Sequence, residues 1–268
     1  MSCENVSAAG RCPGVCVGVG IVSVAVRGGG RVAVAAALAL VLTGCSWASS
    51  TSMPKPSRSP SASASWPGDP AQELAGLRAA IAAPPQPFSA VLRTEVEDGA
   101  TTARSTGTVN VSDVQTSSTV RTSDTGQTYL TVTRDTAYTR TGGGTWRTSP
   151  RPAEPVLADH RPAAEALLRS DPGSFRGPAR IGGLHGGTGF HLVGRLPVAQ
   201  VSGFLDATAR ERLAQHRVPD CATDLLLDAG GRLSRLTLTC EADGYRLRSE
   251  TGLGEYGPAT DTPPPTDL

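Results

Sequence analysis

Five segments between residues 89 and 140 alternate apolar and polar side chains with a period of two, and this pattern constrains the fold most. They are rich in Thr and Val, which favour strands, and turn residues such as Gly99 and Asp124–Gly126 separate them. Short strands joined by such turns predict an antiparallel meander. The five segments are 89–97, 107–114, 117–121, 128–134 and 136–140.

Helices are predicted before and after this meander. Asp69 is a suitable N-cap for a helix with Pro70 in its first turn, and Pro84–Pro85 ends that helix. The chain from 152 to 169 is broken by proline and then helical, and 198–215 is predicted as one helix. We expect an α+β fold, with a domain over 69–258 and a Pro-rich tail over 259–268. Further strands are predicted at 190–196, 223–227, 233–240 and 245–250.

Two cysteines lie on the predicted C-terminal hairpin. A two-residue turn at Gly230–Gly231 would place Cys221 directly opposite Cys240. Opposed cysteines are close enough for a disulfide, and an exported protein permits that bond. The alternative is a pair of reduced, buried thiols. A zinc site is not expected, because no two further ligands stand at the usual spacing.

Composition and motifs argue against several classes of protein. The 25 Lys and Arg residues nearly balance the 24 Asp and Glu residues, whereas a nucleic-acid-binding surface is strongly basic. The segment Gly182–Gly187 lacks the Lys and Ser/Thr of a phosphate-binding loop. No nucleophile motif or carboxylate pair is evident. We therefore expect no enzyme, no catalytic residue, no metal and no cofactor. The histidines are far apart in the sequence, at His160, His185, His191 and His216.

An apolar run of 11 residues, Val32–Leu42, follows the basic residues Arg27 and Arg31. A membrane-spanning helix needs about 20 apolar residues, so the length of this run predicts the hydrophobic region of a signal peptide. The alternative is a buried helix followed by a chance cysteine. The end of the run resembles the lipobox of bacterial lipoproteins, in the order Leu42, Thr43, Gly44 and Cys45.

Cleavage at this lipobox would make residues 1–44 the signal peptide and Cys45 the first residue of the mature chain. A diacylglycerol on Cys45 would hold the protein on the extracytoplasmic face of the cell membrane. A second apolar stretch precedes the basic region at 26–31, so we expect translation to start near residues 22–26. After the lipidated cysteine, the segment up to residue 68 is rich in Ser, Pro and Ala and is predicted as a disordered linker.

The order of these features resembles the LppX/LprG-like lipoproteins of actinobacteria, whose domain is related to the LolA/LolB lipoprotein carriers. The shared order is lipobox, Ser/Pro-rich spacer, short helix, Thr-rich meander, later helix and C-terminal hairpin. The resemblance covers about residues 70–265. It is carried by Thr136–Thr139 with Thr145–Trp146, by Arg180–Leu196, by Leu226–Leu233, and by Tyr256–Pro258 with Pro263–Pro264.

The resemblance implies a curved antiparallel half-barrel with helices packed on one side and acyl chains of a lipid or lipoglycan inside. The protein would then bind or carry an envelope lipid as a monomer. The alternative is a non-catalytic envelope interaction module with a filled core, since an alternating apolar face predicts burial rather than empty space. The candidate lining of the cavity is Leu92, Val109, Val111, Leu130, Val132, Leu192, Val201, Phe204, Leu205, Leu225, Leu236 and Leu238.

Overall fold

A computed structural model describes residues 68–182 and 187–268. The predicted signal peptide, the lipobox with Cys45 and the linker up to residue 67 lie outside the described residues, as does His185. Within those two ranges, eleven strands form one antiparallel sheet. The strands are β1 (Phe88–Asp98), β2 (Thr101–Val111), β3 (Thr116–Ser123), β4 (Gly126–Val132), β5 (Thr136–Thr141), β6 (Arg147–Pro150), β7 (Phe175–Arg180), β8 (Thr188–Pro197), β9 (Asp220–Asp228), β10 (Leu233–Ala242) and β11 (Tyr245–Gly257).

The sheet consists of two meanders joined through the first and last strands. Its strand order is β6-β5-β4-β3-β2-β1-β11-β10-β9-β8-β7, and every pair is antiparallel. In the central pair, Leu92 of β1 lies opposite Leu253 of β11. The sheet is open, with β6 and β7 at its edges, and helices pack beside it. The predicted α+β class with an antiparallel sheet is confirmed.

The single helix predicted over 198–215 is wrong, because the chain breaks in its middle. Leu205 has the extended backbone angles φ −111° and ψ 143°. The Asp206 carboxylate then accepts a hydrogen bond from the Ala209 amide at 2.8 Å, so a new helix is capped there. The helices are α1 (Pro70–Ala82), α2 (Arg161–Ser170), α3 (Val198–Val201) and α4 (Ala207–Gln215), with 3-10 turns at Pro172–Ser174 and Ser202–Phe204.

The two edge strands, β6 and β7, were not predicted. All four residues of β6 are exposed, so the strand lacks the alternation that marks a half-buried one. Strand β7 contains Pro178, and Gly177 has a positive φ of 90°. Proline removes a backbone donor and is tolerated at a sheet edge, which is where β7 lies.

The C-terminal hairpin has the predicted register but a longer turn. Cys221 lies opposite Cys240, and the two form a disulfide with 4.2 Å between their Cα atoms. The predicted two-residue turn is wrong, since β9 ends at Asp228 and β10 begins at Leu233. A bulge between Leu233 and Arg235 absorbs the extra residue and restores the register of the cysteines.

The core lies between the helices and one face of the sheet, which we call the inner face. Helix side chains such as Leu77, Leu167 and Leu213 are at most 1% exposed. Leu225 and Leu236 of the sheet are buried to the same extent. The C-terminal tail crosses the opposite, outer face. Its anchors there are hydrogen bonds of Thr260 and Thr262 to Asn110, and of Asp267 to Arg140 and Trp146.

His160 connects the start of α2 to the turn of the C-terminal hairpin. Its Nε2 lies 2.8 Å from the Gly231 carbonyl oxygen, so the bond formed by the neutral ring requires the proton on Nε2. Burial lowers the pKa of His160 below its ordinary value, although the bond to Gly231 and the charge of Asp159 act in the opposite direction. The folded protein therefore resists protonation of this ring.

We expect the free energy of unfolding to decline as the pH falls below about 6.5, the ordinary pKa of histidine. Below that value the unfolded chain binds a proton at His160 that the folded protein accepts only at lower pH. Urea unfolding at pH 7.5 and pH 5.5 measures the decline. His160→Gln keeps an N–H donor for Gly231 but does not titrate, so its decline should be smaller. An equal decline in both proteins would contradict this role.

Candidate functional site

The inner face of β1–β5 is buried at one end and half-exposed at the other. At the buried end, Val109 of β2 lies opposite Ser117 of β3, and Ser117 lies opposite Val132 of β4; each is at most 3% exposed. Residues two apart on a strand share a face, so the same face continues along each strand. We call its half-exposed end the open inner patch, which consists of Val96, Ser105, Thr119, Arg121, Thr128 and Leu130.

Helix α4 spans this end of the sheet. At its N-terminus, the Asp206 carboxylate pairs with Arg121 of β3, with 2.6 Å between Oδ2 and Nη1. At its C-terminal half, Arg212 lies 3.6 Å from the carboxylate of Asp98, the last residue of β1. Between these ends, Leu213 is 1% exposed and packs into the core. The helix is therefore held to β3 at one end and to β1 at the other.

Aromatic stacking fixes the chain just after α4. The rings of His216 and Tyr245 are parallel, with centroids 4.0 Å apart. Burial raises the pKa of Tyr245 to about 12, and the Asp98 carboxylate acts in the same direction. The phenol therefore stays protonated and uncharged at neutral pH. This end of α4 is held by stacking as well as by the ion pair of Arg212.

The twelve predicted lining residues fall into two groups. Nine are buried, and six of these are at most 1% exposed, so they border no space that a water molecule could enter. Three are half-buried, namely Val111, Leu130 and Phe204. The six most buried residues pack as core beneath the helices: Val109, Leu192, Val201, Leu225, Leu236 and Leu238.

Of the six residues of the open inner patch, Leu130 alone was among the predicted ones, and the charged pair of Arg121 and Asp206 was missed. Arg121 stands two and four residues after Thr119 and Ser117, so its phase on β3 points it to the inner face. A charged residue in the inward phase of a strand is a signal that the sequence contains. Asp206 stands three residues before Ala209, whose amide it caps. Asp206 was not recognised as an N-cap, because it lies in the middle of the predicted helix over 198–215.

A shallow groove of about 290 Å³ lies between α1 and α2, away from the residues predicted to line a cavity. Its apolar part is formed by Ile81 and Leu168, and it is surrounded by the charged side chains of Arg78, Glu165 and Arg169.

Among the described residues, no helix is long and apolar enough to cross a membrane. Within the same two ranges, no three His, Cys, Asp or Glu side chains cluster in a way that could hold a metal ion.

Comparison with known proteins gives matches among solved structures. No protein-family model matches the chain, and no curated protein matches it. The chain is similar to LprF from Mycobacterium bovis, with 14% identity and a TM-score of 0.42 over 72% of this chain and 94% of that one. It is also similar to the lipoprotein LppX from Mycobacterium tuberculosis, with 11% identity and a TM-score of 0.40 over 70% and 96%. The sequence resemblance to the LppX/LprG-like lipoproteins and these matches among solved structures concern the same group of proteins.

Proposed function

We propose that the protein is a non-catalytic lipoprotein of the cell envelope, anchored through Cys45, that binds and carries a lipid at the open inner patch. The observation that carries this proposal is that the helices bury only part of the inner face. The inner-face side chains of β9 are all buried, whereas Val96 and Leu130 are half-exposed although they lie on the same face. An apolar surface beside a bridging helix suits the acyl chains of a lipid.

Acyl chains supply the binding energy in this proposal. Each methylene group removed from water contributes about 0.8 kcal/mol, so burial of at least about ten methylenes, with Leu130 and Val96 as part of the contact surface, is needed for a micromolar complex. The hydroxyl groups of Ser105, Thr119 and Thr128 surround these apolar side chains and offer hydrogen bonds to the ester or sugar groups of a lipid or lipoglycan.

Movement of α4 would admit the lipid. Two of the ion pairs that hold the helix are partly solvent-exposed, Arg121–Asp206 and Arg210–Glu154. Exposed pairs contribute only about 0–1 kcal/mol each, so a small part of the binding energy suffices to displace the helix. The disulfide-bonded hairpin and the packed β8–β10 region would remain unchanged as the rigid part of the domain.

Leu130→Trp is expected to weaken lipid binding by about tenfold or more, because the indole occupies the surface on which the acyl chain would lie. Since Leu130 is half-exposed, the variant should remain folded. Val193→Trp is the matched control, with a half-exposed aliphatic residue on the outer face of β8. Titration with a diacyl lipid that carries a fluorescent acyl chain measures both affinities. Equal affinities in the two variants would contradict binding at the open inner patch, and absence of binding by the wild type would favour an interaction module with a filled core.

A further inference from the structure

Arg121 is the only charged member of the open inner patch. Its register partners are Ser105 on β2 and Thr128 on β4, so hydroxyl groups flank the guanidinium on both sides. Leu130 stands two residues after Thr128 on the same face and adds an apolar surface beside them. A cation, hydroxyl donors and an apolar surface together match an amphiphile with an anionic head group.

The ion pair of Arg121 leaves most of the guanidinium free for a ligand. An arginine has five N–H donors, and the bond to Asp206 uses a single nitrogen, Nη1. The Arg121 side chain is 45% exposed and that of Asp206 is 30% exposed. The two oxygens of Asp206 have separate partners, since Oδ2 binds Arg121 while Oδ1 caps α4 at Ala209. The pair can therefore open without loss of the helix cap.

We propose that Arg121 binds the phosphate of the lipid head group and that this phosphate takes the place of Asp206 on the guanidinium. A guanidinium binds phosphate with two parallel hydrogen bonds, which is a better match than its single bond to Asp206. The exchange releases the N-terminus of α4 from β3, while Arg212 and Asp98 still hold the other end. Head-group binding is thereby coupled to the opening of the patch for the acyl chains.

This inference rests on the proposed function, because it assigns a charge to the lipid that the patch binds. A matched control for Arg121 exists on the outer face. Arg104 pairs with Glu95 at 2.7 Å, also between a strand arginine and a carboxylate, but on the side of the sheet away from the helices. Replacement of Arg104 removes one positive charge, as replacement of Arg121 does, but leaves the residues of the open inner patch unchanged.

The test compares the mature protein's affinities for phosphatidic acid and for diacylglycerol with identical acyl chains, which differ only by the phosphate. The wild type should bind phosphatidic acid about tenfold more tightly, the effect of a charge-assisted hydrogen bond. Arg121→Gln should bring the ratio of affinities close to one, and Arg104→Gln should leave it unchanged. Asp206→Asn keeps a good helix cap but removes the competing charge, so it should raise the ratio.

Several outcomes would overturn the inference. They are a wild-type ratio near one, a ratio that survives Arg121→Gln, or a ratio that Asp206→Asn does not raise. Binding of diacylglycerol in any of these cases would still support the proposed function. If the wild type binds neither lipid, the proposed function and the inference both fail. Circular dichroism of each variant checks folding, and Asp206→Asn provides a test that does not depend on the folding of Arg121→Gln.

Discussion

Replacement of Cys221 and Cys240 by alanine is expected to lower the free energy of unfolding by about 3 kcal/mol. The disulfide joins residues 19 apart in the sequence, and it restricts the unfolded chain more than the folded one. Both cysteines are 0% exposed, so alanine places no polar group in the core. Urea unfolding of the double variant and the wild type measures the difference.

Reductant supplies the control for this prediction. The wild type should lose stability when dithiothreitol is present, whereas the double alanine variant should give the same free energy of unfolding with and without it. A difference below about 1 kcal/mol between the oxidised wild type and the variant would contradict a major role of the disulfide in stability.

Leu225→Ala is expected to lower the free energy of unfolding by about 2–5 kcal/mol, the range for loss of a buried leucine with partial collapse of the cavity. Leu225 is 0% exposed and lies between Leu192 and Leu236 in the register of the sheet. Leu130→Ala is the control, since its side chain is already partly exposed and its loss should be smaller, about 1–2 kcal/mol. Urea unfolding of both variants gives the comparison.

Equal losses for Leu225→Ala and Leu130→Ala would contradict the division of the inner face into a packed part and an open patch. Such a result would mean that the two leucines are equally well packed in solution. The expected difference is large because a buried side chain leaves a cavity when truncated, whereas water reaches the surface around a half-exposed one.

Local pattern was sufficient to predict the C-terminal hairpin. Alternation on both strands fixes which side chains share a face, and a turn at Gly230–Gly231 predicts the register of Cys221 and Cys240, which the structure keeps through a bulge although the turn is longer. The pairing of β1 with β11 could not be predicted, because these strands are more than a hundred residues apart and neither carries a local signal for the other. The break at Leu205 was missed because the apolar spacing continues across it.

The site was predictable only in part. Leu130 was among the predicted lining residues, and the structure places it on the open inner patch. Leu225 shares the same apolar alternation, but helices cover it completely. Alternation identifies the inward face and contains no information about which strands the helices cover. Arg121 was missed because apolar alternation predicts a lining for acyl chains and gives no prediction for a charged residue on the same face.

Mass spectrometry of organic extracts tests the central claim, lipid binding by this domain, most directly. The chain is exported through a membrane behind a cleavable signal, purified and extracted. We expect a lipid that co-purifies in about one copy per protein and carries phosphate in its head group. An extract without lipid, even after incubation of the protein with envelope lipids of its host, would contradict lipid binding and favour an interaction module.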